Sequence, residues 1–252
     1  MNSPAPFLRL SGIAKSFGGV TALAGVDFEL AAGEIVGLIG DNGAGKSTLV
    51  KILSGVYAPD AGSLTLDGKP VDFRSYDVRR ARALGIEAVH QDRCLGEKQP
   101  LWRNLFVGRH RAGRLGFIDI AREKTEAMTV LRDLVGLSGN GLSPEARVAG
   151  LSGGERQGLA IGRAMHFHAR VVILDEPTTA LSLREVERVL SFIADLKAQR
   201  RAAVFVSHTL SHVHAVADRF VILERGRVAA MRVKDNVDLS GLCSLVQAPG
   251  AA

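Results

Sequence analysis

The run Gly40 to Ser47 combines glycines, a lysine and a hydroxyl in the order G-x-x-x-x-G-K-[ST]. The glycines let backbone N–H groups converge on phosphate oxygens at the start of a helix, where the helix dipole favours anions. Lys46 would reach the β and γ phosphates, and Ser47 would hold Mg²⁺. Chance matches are rare because glycine is only about 7% of average sequences. The sequence predicts a nucleoside triphosphate site formed by Gly40, Asp41, Asn42, Gly43, Ala44, Gly45, Lys46, Ser47 and the adjacent Thr48.

A second candidate is the apolar run Val171 to Leu174, which ends in Asp175 and Glu176. One carboxylate, Asp175, suits Mg²⁺, and Glu176 suits a role on an attacking water. Strand ends are also where α/β sheets place ligand chemistry. Alone, an apolar run followed by Asp-Glu-Pro is more typical of a strand-to-loop boundary. The phosphate-binding loop in the same chain favours the functional interpretation.

The third candidate is Leu151 to Gln157, which leads into an apolar-faced helix. Ser152 and Glu155 have the spacing of a capping box, in which each side chain bonds a backbone N–H of the other residue. The alternative is a second anion site, since Ser152, Gly153 and Gly154 at a helix start would offer free N–H groups to a phosphate. Both interpretations remain open from the residues alone.

The elements that position these runs alternate between short β-branched segments and amphipathic helices. Such alternation indicates a parallel sheet covered by helices. Asp67 and Gly68 predict the turn of a small antiparallel hairpin over Gly62 to Val71, so we expect a mixed sheet. The predicted strands are Ile35 to Ile39, Ile86 to His90, Val171 to Leu174, Ala203 to Ser207 and Phe220 to Glu224, and helices are predicted near Ser47 to Leu53 and Leu183 to Gln199.

Between about Asp92 and Gly150 the β pattern stops. Apolar residues at helical spacing, Met128, Leu131, Leu134 and Val135, predict a helix over Asp119 to Leu137. Gly and Ser are frequent from Ser138 to Gly150, which predicts a surface loop. We interpret the region as a helical subdomain inserted into one domain, with the core at about 7–91 and 158–246 and the insertion at about 92–157.

Composition narrows the classes of protein without selecting a function. The 252 residues are 46% hydrophobic and 23% charged, which suits a folded domain with a large core. The net charge of +6 fits an anionic partner or simple solubility equally, because the basic residues are scattered. Cys94 and Cys243 lack metal or disulfide spacing, which favours a reducing compartment. We expect no leader peptide and no membrane-spanning segment.

The sequence resembles the nucleotide-binding subunits of ATP-binding-cassette (ABC) transporters from about Phe7 to Val246. The resemblance is carried by the phosphate-binding loop, by Leu151 to Gln157 as the signature motif and by Asp175-Glu176 as the end of the Walker B segment. Gln91 matches the Q-loop, His208 in Val206-Ser207-His208 matches the switch histidine, and Phe17 matches the aromatic that stacks on adenine.

The resemblance implies a P-loop NTPase core of α/β class with a mixed, mainly parallel sheet, a small antiparallel β subdomain and an inserted helical subdomain. It also implies that two cassettes sandwich two ATP, with Ser152, Gly153, Gly154 and Glu155 of one closing on the phosphate held by Lys46 of the other. Glu176 would polarise water, His208 would contact the γ-phosphate, and Gln91 would link Mg²⁺ to the helical subdomain.

The implied setting is the cytoplasmic face of the inner membrane, with membrane-spanning permease subunits as partners and a solute-binding protein acting indirectly. The segments Ile39 to Gly45, Ala83 to Asp92 and Asn104 to Arg109 are similar to cassettes of monosaccharide importers of the ribose, xylose and fructose type. An ATPase acting on nucleic acid or ribosomes is the alternative, although the paired cassettes and coiled coils usual there are missing. A kinase or GTPase would leave the signature and His208 unexplained.

Three features stand apart from the family pattern. Ser182 occupies the position where the family usually has the D-loop aspartate, which makes coupling between two ATP sites less certain. His212 and His214 follow His208 closely, but we see no third ligand for a metal and assign His208 to ATP. Trp102 is expected in the core by default, yet the family forms its permease groove in this region, so we place Trp102 at or near an exposed groove.

Overall fold

The computed structural model describes residues 6–90, 95–113, 116–134 and 143–247. The strands in these ranges are β1 (Leu8–Phe17), β2 (Val20–Leu30), β3 (Ile35–Ile39), β4 (Ala61–Leu66), β5 (Lys69–Val71), β6 (Ile86–His90), β7 (Val171–Asp175), β8 (Ala202–Val206), β9 (Arg219–Glu224) and β10 (Arg227–Val233). The α-helices are α1 (Lys46–Leu53), α2 (Val78–Ala83), α3 (Leu101–Phe106), α4 (Ile120–Thr129), α5 (Gly153–His166), α6 (Leu183–Ala198), α7 (Leu210–Val216) and α8 (Leu239–Gln247).

The central sheet has six strands in the order β10-β9-β3-β8-β7-β6. Neighbours from β9 to β6 run parallel, and β10 pairs antiparallel with β9. The mixed, mainly parallel sheet expected from the sequence is confirmed. Its two central strands, β3 and β8, are buried along their whole length, as is usual where helices or a second sheet cover both faces of a parallel sheet. The strand predicted over Ala203 to Ser207 lies one residue earlier, at β8.

A second, antiparallel sheet has the order β2-β1-β4-β5. The hairpin predicted around Asp67 and Gly68 joins β4 to β5, and both turn residues have positive φ, +51° and +70°. The sequence pattern missed β1 and β2, the two longest strands, as well as β10. Register shifts interrupt the β1–β2 pairing between Leu10 and Ser16, and such bulges break the alternation that marks a strand.

The core is divided by the central sheet. One apolar cluster fills the space between the two sheets and α1, and a second lies on the opposite face under α5, α6, α7 and α8. Leu49 and Phe28 belong to the first cluster, while Phe205 and Ile193 belong to the second. Since α1 is packed between the sheets, the loop that precedes it is held firmly at the end of β3. None of the helices in the described ranges is both long and apolar enough to cross a bilayer.

The region between the core segments is helical where it is described. Asp119 caps α4, as the prediction of a helix from this residue requires, and a π-helical turn, Val130–Leu134, follows. The predicted helix end at Leu137, Val135 on its apolar face and the first residues of the predicted loop from Ser138 lie outside the described residues. The loop ends in a short 3₁₀ turn, Val148–Gly150.

Trp102 is buried rather than exposed, with 4% of its surface accessible. Its ring packs in a third apolar cluster with Leu131 and Val148, and its Nε1 donates to Glu145 at 3.4 Å. The default expectation of a core Trp102 is confirmed, because residues distant in sequence close over α3. The ring itself is not an exposed part of a groove. Val107, the next residue after α3, is the exposed one at 51%.

Candidate functional site

The phosphate-binding loop connects the carboxyl end of β3 to the start of α1. Gly40 and Gly45 have φ of +149° and +107°. A Cβ at Gly40 would lie 2.2 Å from the carbonyl oxygen of Leu223, and one at Gly45 would lie 2.7 Å from that of Ala22. Side chains are excluded at both positions, so the glycine pattern follows from close backbone approach as well as from phosphate binding.

Lys46 is folded onto this loop and is 8% exposed. Its ammonium donates to the carbonyl oxygens of Gly40 and Asp41, the second at 2.9 Å. Burial lowers the pKa of Lys46, whereas the nearby carboxylate of Glu176 opposes that shift. A buried cation in a glycine-rich loop fits an anionic ligand. The negative phosphate oxygens would compensate the ammonium for the hydration that it loses on burial.

Glu176 follows the last residue of β7, Asp175, and has a positive φ of +52°. Its Oε2 accepts hydrogen bonds from the hydroxyls of Thr179 and Ser207 at 3.2 and 3.3 Å. Its Oε1 lies 2.7 Å from Nδ1 of His208. The backbone conformation is one that few non-glycine residues adopt, and it holds the carboxylate beside the histidine at the ends of two parallel strands.

The structure brings most of the predicted nucleotide-binding and catalytic residues to one cavity of about 430 Å³. Gly40 and Ala44 belong to the phosphate-binding loop but do not line the cavity. The lining includes Thr21, Ala22, Asp41, Asn42, Gly43, Gly45, Lys46, Ser47, Thr48, Asp175, Glu176 and His208.

The donor set of the cavity suits Mg²⁺ with a nucleotide. The predicted metal ligands Ser47 and Asp175 both line the cavity, and oxygen donors are what Mg²⁺ prefers. Gln91, predicted as the third metal ligand and as a catalytic residue, lies outside the described residues.

Phe17 is at the end of β1 and is 41% exposed. Its ring contacts Tyr57 edge to face at 5.3 Å, and the ammonium of Lys15 lies 5.5 Å from its centre. Phe17 is not among the cavity's lining residues, although Val20 and Thr21, just across the β1–β2 turn, are. The aromatic ring is therefore close in sequence to the cavity without lining it, and its assignment to adenine stays a prediction.

The signature residues are apart from this cavity, at the start of α5. The capping box is confirmed: the amide of Glu155 donates to Oγ of Ser152 at 3.3 Å, and the amide of Ser152 donates to Oε2 of Glu155 at 2.9 Å. The expectation of free N–H groups fails for Gly154, whose amide donates to Oε1 of Glu185 at 3.0 Å. The capping-box interpretation is thus confirmed, while the amides of Ser152 and Gly154 are donated within the chain rather than free for a phosphate.

The sequence interpretation missed a contact behind the cavity. His212 in α7 has its Nδ1 3.0 Å from the hydroxyl of Thr178, a residue that is 6% exposed and lies two positions after Glu176. The pair ties the helix after His208 to the loop after β7. The spacing of His208 and His212 allowed a shared metal, an interpretation set aside because no third ligand is present at a suitable spacing, and it gave no sign of the contact with Thr178. The described residues contain no group of three His, Cys, Asp or Glu side chains that would hold a metal.

A glycine-rich loop at the end of a parallel strand, in one sheet with a strand whose carboxyl end carries two consecutive carboxylates, defines a P-loop nucleotide-binding protein. The sequence model for the ABC transporter family matches residues 23–179. The chain belongs to the ABC transporter family.

Relatives and solved structures agree with this placement. The chain is 43% identical to a ribose import ATP-binding protein of Rubrobacter xylanophilus, across 96% of this chain and 46% of the relative. It is 42% identical to a fructose import ATP-binding protein of Rhizobium meliloti, across 88% and 86%. The chain thus spans about half the length of the ribose-import relatives it matches. A nucleotide-free ABC-transporter cassette superposes with a TM-score of 0.82 at 21% identity, across 98% of this chain and 99% of that one.

Proposed function

We propose that the chain is an ATP-hydrolysing subunit that powers an ABC importer for a monosaccharide. The observation that carries this proposal is the cavity that joins Lys46, Ser47, Asp175, Glu176 and His208. The sugar is inferred from relatives whose names specify ribose, fructose and xylose or arabinose import. We further propose a place on the cytoplasmic face of the inner membrane and an indirect link to a solute-binding protein, which is the setting that the resemblance to importer subunits implies.

Bound MgATP would supply the phosphoanhydride bond that water cleaves. Lys46 and the amides of its loop would bind phosphate oxygens, and Ser47 and Asp175 would hold Mg²⁺. Glu176 is the side chain placed to orient water and accept its proton, since its carboxylate lies at the ends of the strands beside the phosphate-binding loop. His208, 2.7 Å from Glu176, would hold that carboxylate in position and approach the terminal phosphate.

Besides the solute-binding protein, we propose another copy of this chain as a partner. The signature residues do not line the cavity of their own chain, so a second cassette is needed to bring them to a bound phosphate. Leu183, next to Ser182 and close to the signature helix, is 83% exposed. An apolar side chain left in water beside this motif supports a contact between copies there.

The third proposed partner is a permease segment, which would bind where the core meets the helical region. A groove of about 180 Å³ lies there between Val56, Val78 and Val107, with Arg82 and Arg163 at its wall. The three valines are 47%, 37% and 51% exposed. We propose that Val107, rather than Trp102, contacts the permease. Val107→Asp should abolish co-purification with the permease, while Val233→Asp, similarly exposed on β10, should not.

The deciding experiment measures MgATP hydrolysis per chain as a function of protein concentration. We expect the rate to rise with concentration, and Glu176→Gln to lower it by about 10²- to 10⁴-fold because the proton acceptor is lost. Glu187→Gln is the matched control, since this carboxylate is exposed on α6. A constant rate from a strict monomer would contradict the two-cassette mechanism, and cells with Lys46→Ala that still import every tested monosaccharide would contradict the transport role.

A further inference from the structure

The starts of α5 and α6 are in close backbone contact. A Cβ added at Gly154 would lie 2.9 Å from Cβ of Glu185 and 3.2 Å from its Cα. A Cβ at Gly153 would lie 2.6 Å from a methyl of Leu181. A side chain at Gly154 would therefore push the two helices apart, so this glycine sets the spacing of the signature helix and the helix after the D-loop, whereas a side chain at Gly153 would displace the Leu181 side chain.

The Glu185 carboxylate joins the two helix starts. Oε1 accepts the Gly154 amide at 3.0 Å, while Oε2 accepts the Ser182 amide at 2.9 Å and its hydroxyl at 2.8 Å. Hydrogen bonds to a carboxylate are about twice as strong as those between neutral groups. The charge also lies at the positive ends of two helices of 14 and 16 residues. Glu185 is thus a partly exposed side chain whose carboxylate is held by three hydrogen bonds from two helix starts.

This contact uses the group that the signature motif would offer to phosphate. An amide has one hydrogen, and that of Gly154 is already donated to Glu185. A carboxylate 3.0 Å from this amide would also repel an approaching phosphate, since both are negative. Binding phosphate at Gly154 requires the bond to Glu185 to break or to weaken.

The serine found at the D-loop aspartate position strengthens the hydrogen bonding of Glu185, whereas an aspartate there would weaken it. Serine gives Glu185 two donors, its amide and its hydroxyl. Aspartate could give only the amide, and its own carboxylate would repel Glu185. The serine and the glutamate therefore act as a matched pair.

We propose that Glu185 is a positioning residue that, with Ser182, withholds the Gly154 amide in the separate chain and releases it to the phosphate held by a second copy. The proposal rests on the proposed function, because it needs two cassettes that close on ATP. As a consequence, the pairing of two copies on ATP must break the hydrogen bond from the Gly154 amide to Glu185 within each chain. Removing the Glu185 charge should tighten pairing, whereas damage to a merely structural contact would loosen it.

The test uses the Glu176→Gln chain, which should accumulate the ATP-bound pair. Sedimentation with MgATP gives the Kd of pairing for this parent and for chains that add Glu185→Gln, Ser182→Asp or the control Glu187→Gln. We expect Glu185→Gln and Ser182→Asp each to lower the Kd about tenfold, with Glu187→Gln unchanged. An unchanged or higher Kd in both variants would overturn the proposal.

A second measurement needs no nucleotide. Hydrogen exchange at the Gly154 amide should be faster in Glu185→Gln and Ser182→Asp than in the parent, because the acceptor is weakened or displaced. Equal exchange would show that the bond does not protect this amide and would overturn the proposal even if pairing changed. If the Glu176→Gln parent itself forms no ATP-dependent pair, the proposed function fails, and the release of Gly154 to a second copy fails with it.

Discussion

Three glutamates show how surroundings decide what one side chain does. Glu176 meets a histidine and two hydroxyls at strand ends, which suits proton transfer. Glu185 meets amides at helix starts, which suits a fixed negative charge. Glu87 is buried between the guanidinium groups of Arg82 and Arg109. The residue type is the same in each case, and the neighbouring donors determine the role.

The contribution of Glu185 to stability should disappear in acid. The Gly154 amide, followed by the amide and hydroxyl of Ser182, lowers the pKa of Glu185 from its ordinary 4.5 to about 2. Since the folded chain favours the ionised form, this stabilisation is complete above about pH 5 and is lost as the pH falls towards 2.

Urea titrations of the unmodified chain and of Glu185→Gln would detect this loss. The difference between their unfolding midpoints should be larger at pH 7 than at pH 3.5, because at pH 3.5 the Glu185 carboxyl takes up a proton in the unfolded chain while the folded chain still holds it ionised. A difference that stays constant with pH would contradict an ionised Glu185 in the folded chain.

At the scale of elements, the helix after the phosphate-binding loop is fixed at both ends. Its start is set by Gly45, and its last residue, Leu53, accepts a hydrogen bond from the Tyr76 hydroxyl at 2.5 Å. Tyr76 is 5% exposed, and burial raises the pKa of its hydroxyl. The residue comes from the segment before α2, so the antiparallel side of the molecule supports α1.

Tyr76→Phe should lower the free energy of unfolding by about 1–2 kcal/mol, because it leaves the buried carbonyl oxygen of Leu53 without this donor. Tyr57→Phe keeps its ring against Phe17 and should change stability by about 0.5 kcal/mol or less. Urea unfolding measures both. Equal effects of the two changes would show that the bond to Leu53 contributes nothing specific.

At the scale of the whole molecule, the core and the helical region are joined by a buried charge. Glu87 lies in β6 of the central sheet and is 5% exposed. It pairs with Arg109, which follows α3, and its Oε2 is 3.7 Å from Nε of Arg82. Arg109 also covers the ring of Phe167 at 4.7 Å, so one side chain contacts the sheet and the end of α5.

Arg109→Met should cost about 3 kcal/mol, because removing one partner leaves a buried carboxylate poorly compensated. Arg9→Met breaks a pair whose side chains are each 49% exposed and should cost less than about 1 kcal/mol. Chemical denaturation of the two variants tests this difference. A loss of similar size in both would mean that the Glu87 pair is no stronger than a surface pair.

Local patterns in the sequence determined the phosphate-binding loop, the strand before it and the helix after it, the Ser152 capping box and the Asp67-Gly68 turn. Each depends on residues within a few positions of one another, whose backbone preferences act before any tertiary contact forms. Residue types also identified Asp175 and Glu176 as site candidates, since the carboxyl ends of parallel strands meet at one edge of a sheet. The resemblance to the family, rather than a local pattern, identified His208.

Only the tertiary structure decided the pairing of β1 with β2, the burial of Trp102 and the bond between Gly154 and Glu185. The bulges of β1 hide its alternation, and Trp102 is covered by residues near 131 and 148. Gly154 and Glu185 are 31 positions apart and meet only because α5 and α6 pack together. Burial and amide partners are set by packing between distant segments, for which no local pattern carries a signal.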